Sequence, residues 1–446
     1  MSMLAVMGMG PYEMIMFGLF VAMLGGLLVF HHHKNLVVTL GFLSLSGLFI
    51  NHMGDIHAWV EHFGDEHRRH LLVELALLLP AFALVAYYFE HSGASHGLAQ
   101  ILRRDSALLW SVFVLSTVLD NIAAALIGAT ILLAKYGKDA PFRMIVGIIG
   151  ASNLGGAGSP VGDTTTVMMF ISKDPKITAP ELFMAFIATV PAMFALTWWA
   201  VRHGMKPQSY DPKKSPSATV IEEKDVLLRA QASDLAEAEG LGELAGPDHR
   251  VHWKQMWPIL AIPGLVIGNT VEQVGPGIGV WAGLILGLVV ARLAFNKQVF
   301  KEAVPNMLFL VTLVATAELL PLDSIKPSLE QMPAFGGLTA RDMVALMMGH
   351  LSAWFDNIPL TAICLQLKGF DWGLLAYCVG YGGSAMWFGS SAGVAIGLIF
   401  PQTYDTKRWG MPFVVITLAY WVGAVFFHFI EPHVASMVIG HPTGQP

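Results

Sequence analysis

Ser116-Thr117-Val118-Leu119-Asp120-Asn121-Ile122 and Ser352-Ala353-Trp354-Phe355-Asp356-Asn357-Ile358 share one spacing, Ser-x-x-x-Asp-Asn-Ile, inside the apolar runs 107–134 and 342–367. Downstream of the first, Gly155-Gly156 is followed after five residues by Gly162-Asp163-Thr164. Downstream of the second, Gly382-Gly383 is followed after five by Gly389-Ser390-Ser391. Two different elements recurring in the same order mark an internal repeat. A turn at the first Asp-Asn pair leaves limbs of about 13 residues, or about 20 Å of helix, too short for a hydrocarbon core about 30 Å thick. Both runs therefore read as re-entrant hairpins. The runs 142–171 and 372–400, interrupted by Gly155, Gly156, Gly158 and Gly162 and by Gly380, Gly382, Gly383 and Gly389, read as broken helices, each a helix, an unwound stretch and a second helix.

Composition sets the surroundings of that repeat. Of 446 residues, 54% are apolar and 13% charged, and the net charge is −6. A soluble domain carries about 25% charge, so soluble, disordered and nucleic-acid-binding classes are excluded. Further apolar runs at 12–30, 36–50, 71–90, 180–201, 256–271, 278–295, 304–321 and 411–430 read as ordinary spans. Lys and Arg concentrate in the loops that are cytoplasmic if the N-terminus lies outside. In that topology the spans before the two hairpins run in opposite directions, so the repeat is inverted across the membrane. The expected organisation is N-terminal scaffold helices with a His-rich outer loop over 1–70, a first inverted repeat over 71–204 and a polar cytoplasmic linker over 205–254. Connecting helices over 255–303, a second repeat over 304–432 and a tail over 433–446 follow. The fold class is an all-α polytopic membrane protein. Cys364 and Cys378, the only cysteines, sit in apolar runs and encode neither a disulfide framework nor a transition-metal site.

Hairpin tips and unwound helices expose carbonyls without intrahelical partners, which can replace the hydration shell of a small cation. Irregular backbone survives at membrane depth only where protein buries it or a cavity is lined by it. Asp120, Asp163 and Asp356 add carboxylates at those points, each costing roughly 2.5–3.5 kcal/mol at a helix centre. The candidate ion- and proton-binding residues are Asp120, Asn121, Asp163, Thr164, Asp356, Asn357, Ser390 and Ser391. Ser116, Ser152, Asn153 and Ser352 support them, and Gly155, Gly156, Gly162, Gly382, Gly383 and Gly389 act as hinges. A plainer reading makes the aspartates caps of half-helix N-termini. Only the first repeat has an acid after its closing glycine, Asp163 against Ser390. Asp120 with Asp163 is therefore expected to set the pH dependence of exchange, and Asp356 with Ser390 and Ser391 to be weaker or mainly structural.

These motifs, with Ser152-Asn153-Leu154-Gly155-Gly156-Ala157-Gly158-Ser159-Pro160-Val161-Gly162-Asp163-Thr164-Thr165-Thr166 and Gly389-Ser390-Ser391-Ala392-Gly393-Val394, resemble the NhaD-type sodium/proton antiporters of the ion transporter superfamily. That superfamily also holds divalent-anion/sodium symporters and arsenite carriers. The resemblance, over about 71–430, implies a cytoplasm-facing first hairpin, a periplasm-facing second one, two pseudo-symmetric ion sites, a homodimer and a bacterial inner membrane. Where symporter relatives carry Ser-Asn-Thr at the tips, this chain has Asp120-Asn121-Ile122 and Asp356-Asn357-Ile358. A dianion would meet repulsion from those carboxylates, whereas Na⁺ or H⁺ is attracted. Exchange of Na⁺ (or Li⁺) for H⁺ is the expected activity, with the transported ions in place of any cofactor. Na⁺- or H⁺-coupled transport of a dicarboxylate or oxyanion is the alternative.

Other features are weaker. His52, His57, His62 and His67 recur every five residues in the expected outer loop. That spacing advances about 140° per step around a helix and puts them on no common face. They read as a hydrated loop, or as a pH-responsive cluster because histidine titrates near neutrality. Glu74, near a span end where snorkelling suffices, and Glu318 are candidate proton relays. Gly93-Ala94-Ser95-His96-Gly97 matches a nucleophile pattern but not its strand-turn-helix context, so no enzyme is expected.

Overall fold

The computed structural model describes residues 9–30, 33–92, 104–202, 252–271, 274–332, 334 and 336–438. Nearly all of the expected linker over 205–254 lies outside the described residues, as do Gly93-Ala94-Ser95-His96-Gly97 and the last residues of the expected tail. Every extended regular element among the described residues is a helix. Helices α1 (Pro11–Val29), α2 (Lys34–Met53), α3 (Ile56–Gly64) and α4 (Glu66–His91) come first. Next are α5 (Asp105–Ser116), α6 (Asn121–Tyr136), α7 (Phe142–Ala157), α8 (Thr164–Ile171), the short α9 (Ala179–Phe183) and α10 (Phe186–Val201). A 3₁₀ turn over Trp253–Leu260 leads into α11 (Ala261–Thr270), α12 (Pro276–Ala291), α13 (Lys297–Glu318) and the short α14 (Lys326–Glu330). The chain continues as α15 (Ala340–Ser352), α16 (Asn357–Leu367), α17 (Trp372–Gly382), α18 (Ser391–Ile399) and α19 (Gly410–Val438).

Among the described residues, five stretches are long and apolar enough to cross a membrane: Lys34–Met53, Glu66–Phe89, Ala179–Val201, Lys297–Glu318 and Thr406–Met437. They carry exposed apolar side chains on the outside of the molecule, such as Leu36, Leu40 and Leu43 on α2 and Val414, Leu418 and Phe429 on α19. In water such faces would be costly; against lipid tails they are not. The elements make an all-helical polytopic membrane protein. The expected span 256–271 is instead split between the 3₁₀ turn and the ten-residue α11.

At the centre, α7 packs against α17. Around that crossing the partners alternate between the two halves of the chain: α5 packs on α7 and α15 on α17, while α6 packs on α18 and α8 on α16. The flanking helices pair with their counterparts, α4 with α13 and α10 with α19. Asp105 at the start of α5 is held by Lys135 and by the Tyr136 hydroxyl (2.7 Å) at the end of α6, which ties the open end of the first helical hairpin together.

The expected His-rich loop is helical. Gly54, at φ 74°, terminates α2, and the Asp55 side chain accepts from His57 N to start α3. Gly155, Gly156 and Gly382 lie in the last turns of α7 and α17, and the irregular backbone runs over Gly158–Asp163 and Gly383–Ser390, yet Gly155 and Gly382 leave no room for a side chain. The reason is close approach: a Cβ on Gly155 would stand 2.1 Å from the Phe113 carbonyl oxygen, and one on Gly382 2.0 Å from that of Gly349. These glycines let α5 and α15 seat against α7 and α17.

Candidate ion-binding site

The chain forms two frames with matching contacts. Ser116 Oγ donates to the Ser152 carbonyl (2.6 Å), and Ser352 Oγ donates to the Val379 carbonyl (2.8 Å). Each serine, fully buried, pins the end of the first hairpin helix to the last turn of the following helix. A Cβ on Gly156 would lie 2.5 Å from the Gly162 carbonyl oxygen, and one on Gly383 2.5 Å from that of Gly389, so each break folds back on the helix that precedes it. Phe113 and Gly349, the residues that Gly155 and Gly382 press against, both lie three places before the motif serine.

Asp120 and Asp356 occupy the N-cap positions of α6 and α16 with nearly the same backbone angles, φ −55°, ψ 146° and φ −53°, ψ 139°. Each accepts the backbone N–H two residues on, Ile122 at 3.2 Å and Ile358 at 3.1 Å. Asp163 and Ser390 cap α8 and α18 from extended backbone. Asp163 Oδ1 accepts from Thr165 N at 3.2 Å, and Ser390 Oγ from Gly393 N at 3.3 Å. All three aspartates are therefore caps, as the plainer reading had it, and a cap uses one carboxylate oxygen and leaves the second available.

The second oxygen of Asp163 is engaged across the molecule. Asn357 Nδ2, at the tip of the second hairpin, donates to Asp163 Oδ2 at 3.2 Å. In the other direction Asn121 Nδ2, at the tip of the first hairpin, donates to Asn153 Oδ1 at 3.0 Å, and Asn153 Nδ2 donates to Ser384 Oγ (2.9 Å) and Ser390 Oγ (3.0 Å). Asn121, Asn153, Asp163, Asn357, Ser384 and Ser390 are all buried. Bonds between the halves thus stand beside the expected pairing of Asp120 with Asp163 and of Asp356 with Ser390. Asp163 bonds to the second hairpin and lies within charge–charge reach of both Asp120 and Asp356. Ser390 joins the first half through Asn153. Thr164 and Ser391 open α8 and α18, and Ser152 Oγ donates back to the Ile149 carbonyl within α7 at 2.9 Å. Ser384, which the sequence reading missed, follows Gly382-Gly383 directly and could have been found from that position alone.

A cavity of about 100 Å³ reaches Asp120 and Thr164 from between α4 and α13 and is lined there by Phe82, Asn306 and Met307. Asn306 accepts from the buried Lys34 Nζ at 2.9 Å, which ties α2 to α13 beside this space.

The remaining acids have structural partners. Glu74 does not snorkel: it is buried and accepts the Gly277 N–H at the first turn of α12, where the helix dipole favours a carboxylate. Glu318 is buried at the end of α13 and pairs with Arg68 Nε at 3.2 Å, while His62 Nε2 donates to the Glu318 carbonyl at 3.0 Å. Burial and the neighbouring Arg68 guanidinium hold the His62 pKa below its ordinary value of 6.5. The other histidines diverge: His52 stacks on Tyr12, and His67 stands 3.8 Å from Asp174.

Over 354 residues the chain is 26% identical to sodium/proton antiporter 1 of Arabidopsis thaliana, a match covering 71% of this chain and 55% of that protein. The chain is a distant relative of sodium/proton antiporters. Over 323 residues it is also 26% identical to sodium/proton antiporter 2 of the same plant, covering 66% of this chain and 69% of that protein. The chain thus spans about half the length of the first of these relatives. No family model matches. Both relatives are plant proteins, so they lend no support to the bacterial inner membrane expected from the motifs.

Proposed function

We propose that this protein is a secondary carrier, not an enzyme, that exchanges Na⁺ (or Li⁺) for H⁺ across a membrane by alternating access. One observation carries the reading. Where the two halves cross, the buried carboxylate of Asp163 caps α8 with one oxygen and meets the tip of the opposite hairpin with the other. A group so placed can exchange a proton for a cation and feel the movement of one half against the other. The names of both relatives support the same chemistry.

In this reading α5–α6 and α15–α16 are re-entrant hairpins of an inverted, NhaD-type repeat, and the chain works as a homodimer in the bilayer. Asp120, Asn121, Asp163, Thr164, Asp356, Asn357, Ser390 and Ser391 line the ion path. An aspartate that binds either Na⁺ or H⁺, never both, gives exchange by competition. A dianion would have to enter a region framed by three carboxylates, and repulsion within a poorly hydrated interior disfavours it.

The test is reconstitution into proteoliposomes with an imposed pH gradient followed by a fluorescent dye. Dissipation on adding NaCl or LiCl, with none added by succinate, supports exchange. Uptake of sodium that depends on succinate overturns it.

A further inference from the structure

The two frames share one hydrogen bond that differs in charge. In each, the asparagine at a hairpin tip donates its side-chain amide to an acceptor in α7 or in the break that follows it. For Asn357 the acceptor is the carboxylate of Asp163; for Asn121 it is the neutral amide oxygen of Asn153. The amide nitrogen of Asn153 then spans to Ser384 Oγ and Ser390 Oγ, so both ends of this side chain are bonded at full burial. Counted from the paired glycines, Asn153 corresponds to Gly380, two places before Gly382 as Asn153 is before Gly155. Gly380 has no side chain, and a Cβ there would sit 2.8 Å from Ala157 Cβ and 3.7 Å from Asp163 Oδ2. One frame thus has a carboxylate beside an empty glycine position, whereas the other has an amide filling the equivalent position.

We infer that each chain binds a single transported cation, in the Asp163 frame, and that in the Ser390 frame the neutral amide of Asn153 takes the place a second cation would need. This deepens the exchange reading above and rests on it. The physical argument is one of donors and charge. A small cation needs oxygens in place of water. In the Ser390 frame the –NH₂ of Asn153, a donor with no acceptor capacity, already occupies both hydroxyls and presents N–H where a cation would need oxygen. In the Asp163 frame the same place offers an anionic oxygen.

The inference is tested by equilibrium binding of radioactive ²²Na⁺ to the purified full-length protein in lipid nanodiscs at alkaline pH. Wild type should bind one Na⁺ per chain. Asn153→Asp should bind two, because the near-isosteric carboxylate still accepts from Asn121 while Ser384 and Ser390, whose hydroxyls can donate as well as accept, turn to donate to it. Wild type binding two ions overturns the inference, and this readout needs no variant. A folded Asn153→Asp protein, monodisperse on gel filtration, that still binds one ion also overturns it. Wild type that binds no Na⁺ under conditions where it is folded instead overturns the exchange reading beneath it.

Discussion

Asn357 donates to Asp163 Oδ2 at 3.2 Å, joining the tip of the second hairpin to the break that follows α7. The two residues are far apart in the chain, and both are buried. Any movement of one half against the other must stretch or remake this bond. In the proposed carrier, Asp163 would both hold an ion and register which way the protein faces.

Asp163→Asn should abolish Na⁺-dependent dissipation of a pH gradient while leaving the fold intact. Asparagine caps a helix about as well as aspartate, so the change at α8 should stay within about 1 kcal/mol. Ser390→Ala should do the opposite: loss of the α18 cap should cost about 1 kcal/mol, while exchange persists. Dye-monitored transport and thermal unfolding on the same preparations separate the two effects. Retained exchange in Asp163→Asn, with transport lost in Ser390→Ala, would reverse the assignment of the two frames.

If a single carboxylate is shared between Na⁺ and H⁺, the apparent Na⁺ constant should rise about tenfold for each pH unit below the point where a proton begins to compete, by linkage of one proton to one cation. Initial rates of exchange against NaCl concentration, measured from about pH 6 to about pH 9, give this slope. A constant that does not change with pH would mean that the ions use separate groups.

Gly155→Ala and Gly382→Ala should each destabilise the protein by at least about 1–3 kcal/mol, the usual cost of overpacking, because the added methyl meets a backbone carbonyl that cannot rotate away. Gly47→Ala is the control: it lies in α2 with nothing within 4 Å of the added carbon, and removing a helical glycine should leave stability equal or slightly higher. Thermal unfolding in one detergent ranks the three variants.

His62 has its pKa held below 6.5 in the folded chain, first by burial and then by Arg68. The unfolded chain therefore binds more protons in the window just below 6.5, and stability must fall as the pH drops through it. Above 6.5 this contribution is fully present. Melting temperatures from about pH 5 to about pH 7.5 should show a shallower acid-side decline in His62→Gln than in wild type.

Removal of Arg68 isolates a buried carboxylate. Arg68→Gln should destabilise the protein by about 1–3 kcal/mol, less than for a fully buried ion pair because Arg68 is partly exposed, with Glu318 left almost fully enclosed. Replacing both residues with Gln should recover part of that loss. An unchanged melting temperature in Arg68→Gln would show that Glu318 is neutral in the folded protein.

The sequence by itself determined the membrane class, the repeated motifs and the places where helices stop. These are local matters: apolar run length decides what can span, and Asp120, Asp163, Asp356 and Ser390 sit where an N-cap is chemically required. Tertiary structure alone decided what those residues touch. Gly155, Gly156 and Gly382 read as hinges from their place in the apolar runs, and only the fold shows that they end helices with backbone carbonyls close against them. Glu74 looked like a snorkelling side chain until the start of α12 supplied a backbone donor for it. The pairing of Asp163 with Asn357, and of Asn121 with Asn153, could not be read from spacing, which ties each acid to its own repeat. Those hydrogen bonds depend on how α8 packs on α16 and α6 on α7, and side-chain bonds across such distances follow from shape, not from order along the chain.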